Sequence, residues 1–94
     1  MASDYCNLGN IHCIRDEFGK AVEMYNKALE INQRLGLQEG LASDNCNLGT
    51  VYKNRGDKTK AREYYLKSIE LFRKIGIPYK VKHVEDLLKK LDEK

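Results

Sequence analysis

Three cysteines, two histidines and a scatter of acids, amides and lysines are the residues of this 94-residue chain with chemistry to offer. Cys6 and Cys13 are seven apart, which places both on one face of a helix. A zinc site needs four ligands converging at about 2.0–2.3 Å, and no C-x-x-C or H-x-x-x-H spacing supplies them. His12 and Cys13 are adjacent, so on a helix they point apart and form no base–nucleophile pair. Glycine patterns that cradle phosphate or a dinucleotide are absent. The acids pair with bases and not with one another. Glu23/Lys27, Glu30/Arg34, Glu63/Lys67 and Glu70/Lys74 are (i, i+4) pairs with the acid first, the order that supports a helix. The expectation is therefore no catalysis, no metal and no cofactor. What remains is recognition: an asparagine amide donates and accepts at once, so it can hold a peptide backbone with little demand on sequence.

Composition bounds the scaffold. Ninety-four residues make one small domain with a modest core. One proline and seven glycines favour an all-helical chain over a turn-rich β fold. The net charge of +3 is too small to imply nucleic acid by itself. No apolar run approaches the ~18 residues of a membrane span, and no basic start followed by an apolar stretch marks a signal peptide. Three cysteines without disulfide spacing suit a reducing compartment, and a cytoplasmic location is expected.

The chain repeats itself at a shift of 40. Ala2-Ser3-Asp4-Tyr5-Cys6-Asn7-Leu8-Gly9 falls on Ala42-Ser43-Asp44-Asn45-Cys46-Asn47-Leu48-Gly49, and the register holds without a gap to Gly36 and Gly76. Between 2–41 and 42–81 there are 15 identities in 40 positions, where chance gives about two or three. Each unit reads as two helices. Tyr5, Leu8, Ile11, His12 and Arg15 share a face of the first. Asp16-Glu17-Phe18-Gly19 then interrupts, as Arg55-Gly56-Asp57-Lys58 does in the second unit. Gly36 and Gly76 sit where left-handed C-caps belong, and Pro78 follows the second. A fifth helix begins at Tyr79 and ends in a charged turn, the mark of a capping helix. The organisation expected is a single domain, 1–94, with repeats at 2–41 and 42–81 and a cap at 79–93.

These residues match a known pattern. Tyr5-x2-Leu8-Gly9-x2-His12 followed by Ala21-x3-Tyr25, and Asn45-x2-Leu48-Gly49-x2-Tyr52 followed by Ala61-x3-Tyr65, resemble the tetratricopeptide repeat. The longer period of 40 is similar to the repeats of kinesin light chains and of spindle-orienting adaptors. The resemblance implies an all-α, right-handed α-solenoid of two helix-turn-helix units plus the C-terminal capping helix. It also implies a scaffold or adaptor that binds extended peptides in a concave groove lined by the first helix of each unit. The stripe so placed is Ser3, Cys6, Asn7, Asn10, Cys13 and Ile14, then Ser43, Cys46, Asn47, Thr50, Lys53 and Asn54, then His83, Asp86, Leu87 and Lys90.

On that reading Asn7, Asn10, Asn47, Thr50 and Asn54 contact a peptide, and Lys53, His83 and Lys90 receive an acidic side chain or a terminal carboxylate. The bland alternative is solvated surface. The two-lysine, two-asparagine, one-arginine constellation of chaperone carboxylate clamps is not reproduced. Two other readings stand beside the peptide-binding one: a purely structural stretch of a longer array, and weak RNA binding through Lys80, Lys82, Lys89, Lys90 and Lys94. The lysine run lacks interleaved aromatics and so reads first as a solvated helix face.

Packing expectations follow. Leu8, Tyr25, Leu29, Leu48, Tyr65 and Ile69 should be buried, with Gly9 and Gly49 allowing close helix approach. Helix spacing of ~8–10 Å keeps Cys6 and Cys46 too far apart to bridge. Leu37-Gln38-Glu39-Gly40-Leu41 should start the first helix of the second unit, and the corresponding turn of the first unit is expected to be missing before Ala2. The side of the first unit that includes Ile11 and parts of Met24 and Ala28 should then lie open; the two expectations are that the chain is the end of a longer array or that two copies cover this face as a homodimer through the N-terminal repeat.

Overall fold

A computed structural model describes residues 2–91, with side chains from Asp4 onward. The side chain of Ser3, the end of the cap expected at 92–93 and Lys94 lie outside the described residues. Five helices follow one another: α1 (Ala2–Ile14), α2 (Phe18–Leu35), α3 (Gln38–Asn54), α4 (Lys58–Ile75) and α5 (Pro78–Leu91). Each packs mainly on the next in sequence, and α1 also touches α3. The molecule measures 33 × 27 × 18 Å, and the short dimension is that of two helix layers. This is an all-α solenoid.

The turns come from backbone chemistry at fixed positions. Gly36 (φ 71°) and Gly76 (φ 86°) are left-handed. Leu37 N–H donates to the Asn32 carbonyl (2.9 Å) and Gly36 N–H to that of Gln33 (3.2 Å). Ile77 and Gly76 repeat both bonds on Phe72 (3.1 Å) and Arg73 (3.2 Å). Both ends are Schellman caps closed by an apolar residue. The turns within the units are shorter than the sequence suggests. Phe18 and Gly19 belong to the first turn of α2, and Lys58 to that of α4. Phe18 is drawn in because its ring packs on the Ala21–Tyr25 cluster.

The core forms two clusters. Ala21, Tyr25, Leu48 and Val51 join the first unit to the second. Ala42, Ala61, Tyr65, Ile69, Phe72, Val81, Val84 and Leu91 join the second unit to α5. A Cβ on Gly9 would lie 2.7 Å from the Tyr25 ring, and one on Gly49 would lie 2.7 Å from that of Tyr65. Only glycine lets the tyrosine ring of the partner helix sit against the backbone there.

Three burial expectations need correction. Leu8 is 43% exposed, because among the described residues no helix packs on its side of α1. Leu29 is half-buried at the margin of the first cluster. Ala28, expected on the open side, is fully buried, and Met24 is half-buried. By the repeat register Ala28 matches Ser68, whose Oγ donates to the Ala42 carbonyl across the α3–α4 seam (2.7 Å). Ala28 therefore faces α1 within its own unit. Tyr25, Leu48, Tyr65 and Ile69 are buried as expected, and Ile11 is open as expected.

Candidate functional site

α1, α3 and α5 are the first helices of the successive units, and their stripe carries the candidate residues. The structure gathers part of it. Ser43, Cys46 and Asn47 of α3, Phe72 of α4, and Lys80, His83 and Val84 of α5 line one cleft of about 210 Å³. Its apolar lining comes from Phe72 and Val84, both buried, with the half-buried Cys46. Its polar lining residues are Asn47, Ser43, His83 and Lys80. Lys80 Nζ lies 5.4 Å above the Phe72 ring and donates to Glu39 Oε1 at 2.8 Å. That bond raises the Lys80 pKa above its ordinary value, so Lys80 is a cation throughout the neutral range.

The other candidates are dispersed. Asn7 and Asn54 are exposed and Lys53 is half-buried, outside the cleft. His83 is in it, whereas Lys90 lies exposed in the last turn of α5. Asn10 and Thr50 hold their own units together. Asn10 Oδ1 accepts from the Tyr25 hydroxyl. Thr50 Oγ1 donates to the Cys46 carbonyl (3.2 Å) and meets the Tyr65 hydroxyl at 2.9 Å. Lys80 is the groove residue that sequence reasoning missed. Its place three residues before His83 was the available signal.

One position along the groove, the α1–α3 seam is filled differently. Asp44 is 1% exposed. Asn32 Nδ2 donates to its Oδ2 at 2.7 Å, and Cys6 Sγ donates to its Oδ1 at 3.1 Å. Gly40 makes room for Asn32, since a Cβ there would lie 2.6 Å from the amide. Burial pushes the Asp44 carboxyl up, and the bonds from Asn32 and Cys6 offset part of that. Burial and the neighbouring carboxylate push the Cys6 thiol up to about 12, and burial pushes Cys46 up to about 11. Burial raises Cys13 as well. All three thiols are free, and thiols so shifted are poor nucleophiles. Among the described residues, no group of three or more His, Cys, Asp or Glu is placed to hold a metal ion. Nor is any described helix long and apolar enough to cross a membrane.

A two-layer stack of helix pairs, with amides and lysines on the first helices, defines an α-helical repeat protein. The family model for the tetratricopeptide repeat matches residues 1–74, and the chain belongs to that family. Its repeats are in general protein–protein interaction modules, and its members are typically non-enzymatic scaffolds. A comparison with curated proteins gives no match.

Proposed function

We propose that this chain is a non-catalytic adaptor that holds an extended peptide along α1, α3 and α5, with an acidic group of the peptide at the α3–α5 cleft. The observation that carries this reading is the lining of the cleft: an apolar surface of Phe72 and Val84 beside Asn47, Ser43, His83 and Lys80. Such a site fits the aliphatic stem of a glutamate or a terminal residue, with its carboxylate at Lys80. Asn7 and Asn47 hold the peptide backbone through their amides. Lys53 and Lys90 extend the preference for acids along the groove. The free thiols suit a reducing compartment, so the cytoplasm is the proposed location.

A groove of two units is short, and affinity on the order of micromolar or weaker is expected. A peptide-array screen with the parent chain, then with Asn7→Ala and Asn47→Ala together, tests the groove. Loss of binding with the helical fold intact supports it. Undiminished binding by the double variant contradicts it. Lys80→Ala sharpens the assignment: acidic peptides should lose affinity while their amidated or glutamine analogues do not. Steep, sequence-independent salt dependence on random single-stranded RNA would favour the nucleic-acid reading instead. A second copy of the chain is the other partner proposed.

A further inference from the structure

The two units carry one helix face with an aromatic ring and once without it. In the first unit Tyr5 of α1 is half-buried, and Lys27 of α2 stands 5.7 Å above its ring. At the shift of 40 the matching pair is Asn45 of α3 and Lys67 of α4. There the ring is missing, and a groove of about 320 Å³ lies beside Asn45, between α2 and α4. Leu29 of α2, Leu41 of α3, and Tyr64 and Leu71 of α4 are its apolar lining, all half-buried. Leu29 and Tyr64 sit at the margin of the first core cluster and Leu71 at that of the second, so the groove lies between the two. Asn45 is buried, and its Nδ2 donates to the Leu41 carbonyl one turn back at 2.9 Å, within α3. Leu41 and Asn45 are on the opposite side of α3 from Ser43 and Asn47, and the groove shares no residue with the α3–α5 cleft.

The first unit indicates what fits there. Its own occupant of this place is a phenol ring beneath a lysine. The lining of the groove selects the same chemistry. Among the described residues that line it there is no acid, and Lys67 is the one charge. A basic side chain is repelled by Lys67, and a carboxylate leaves the leucines unfilled. Lys67 Nζ is 5.3 Å from the centre of the Tyr64 ring, so its ammonium already rests on an aromatic face at the rim. An ammonium gains from the face of a ring what no aliphatic group offers. Tyr64 adds an aromatic neighbour, against which a second ring packs edge to face or offset.

We infer that the α2–α4 groove is a second docking site, which takes a phenylalanine, tyrosine or tryptophan side chain from a segment of a partner protein, in the place that Tyr5 fills in the first unit. It stands or falls separately from peptide binding at the α3–α5 cleft. One side chain anchors the contact, so a short probe should bind with a dissociation constant on the order of millimolar.

NMR titration of the whole chain with two capped tripeptides reads the site directly. One is Gly-Phe-Gly, and the other carries cyclohexylalanine at its centre, a ring of similar shape with no π face. The phenylalanine probe should give saturating shifts at Leu29, Leu41, Leu71 and Tyr64, and the saturated ring should bind about threefold more weakly. Lys67→Met keeps the aliphatic stem and removes the charge. It should weaken the phenylalanine probe about threefold and leave the other unchanged. Asn45→Tyr places the chain's own ring in the groove, so it should abolish the shifts and raise the melting temperature by about 4 °C. Lys67→Met carries the test if circular dichroism shows Asn45→Tyr misfolded. No saturable shift up to about 20 mM probe overturns the proposal. Equal affinity for the two rings, or undiminished binding by a folded Asn45→Tyr, overturns it as well. Tyr79 is 72% exposed, so a second copy is the competing source of a ring. Self-association that both Tyr79→Ala and Asn45→Tyr remove would assign the groove to that copy and overturn a separate partner.

Discussion

Leu8 and Leu48 are the same residue in the same place of two copies of one unit, and one faces water while the other is sealed. The second repeat lies between neighbours: α1 and α2 on one side, α5 on the other. Among the described residues, the first has a neighbour on one side only. The contrast extends to the details. Gly56 (φ 91°) makes the left-handed turn of the second unit, where Asp16 (φ 59°) makes it in the first. Asp57 caps α4 by accepting from Lys60 N–H (3.1 Å), whereas Glu17 makes no such bond and turns to His12 (3.1 Å) and Lys20 (3.4 Å). Tyr52 and Tyr64 stack at 5.4 Å between Lys60 and Lys67, and His12 and Met24 stand in the matching places. The seams differ as well: Asn32, Asp44 and Cys6 join the two repeats, where Phe72, Val84 and Cys46 join the second repeat to α5. A repeat therefore fixes the helices and their caps, while its neighbours decide how stable each copy is.

The largest effect expected separates the two leucines. Leu48→Ala should cost about 2–4 kcal/mol by leaving a cavity, and Leu8→Ala less than about 1 kcal/mol, read from denaturant unfolding. Equal losses would break the comparison. Gly49→Leu should cost about 1–3 kcal/mol, since its side chain would drive into the Tyr65 ring. A melt that overlays the parent would remove the close-approach argument.

Much of this was legible beforehand. Gly36 and Gly76 announced the helix ends because a left-handed residue has few occupants, and Gly9 and Gly49 announced close approach for a similar steric reason. The burial of Leu8 was misread because Cys6-Asn7-Leu8-Gly9 is identical to Cys46-Asn47-Leu48-Gly49, and exposure belongs to the surroundings. Asp44 was invisible as a buried group: an acid on the stacking side of a helix gives no signal until Asn32, twelve residues away on another helix, is seen to meet it. Lys80 hid within a lysine run for want of the same tertiary information.

Smaller changes sharpen the contrast. Asp16→Gly should bring the first turn toward the second and stabilise the chain by about 0.5–1 kcal/mol, since only glycine adopts that φ without strain. A destabilised variant in thermal or urea unfolding would mean that the Asp16 side chain earns its place there. The smallest difference is one of pH. The native Asp44 carboxyl is raised above its ordinary 3.8. The folded state therefore keeps this proton at pH values where the unfolded chain has lost it, and stability falls as pH rises through that window. Asp44→Asn keeps a hydrogen-bonding side chain and removes the titration. Relative to the variant, the parent should lose stability as pH rises from just below 4 through the raised value, and then run parallel. Parallel curves throughout would show that the buried carboxyl is not linked to folding.

The central claim is that two copies of one unit differ in stability because one packs on described helices on both sides and the other on one side only. Native-state hydrogen exchange tests it residue by residue. The amides of α1 should exchange through an opening of lower free energy than those of α3 and α4, although α1 and α3 share Asn-Leu-Gly and the same register. If α1 is as strongly protected as α3 and opens only with the whole chain, the account is contradicted.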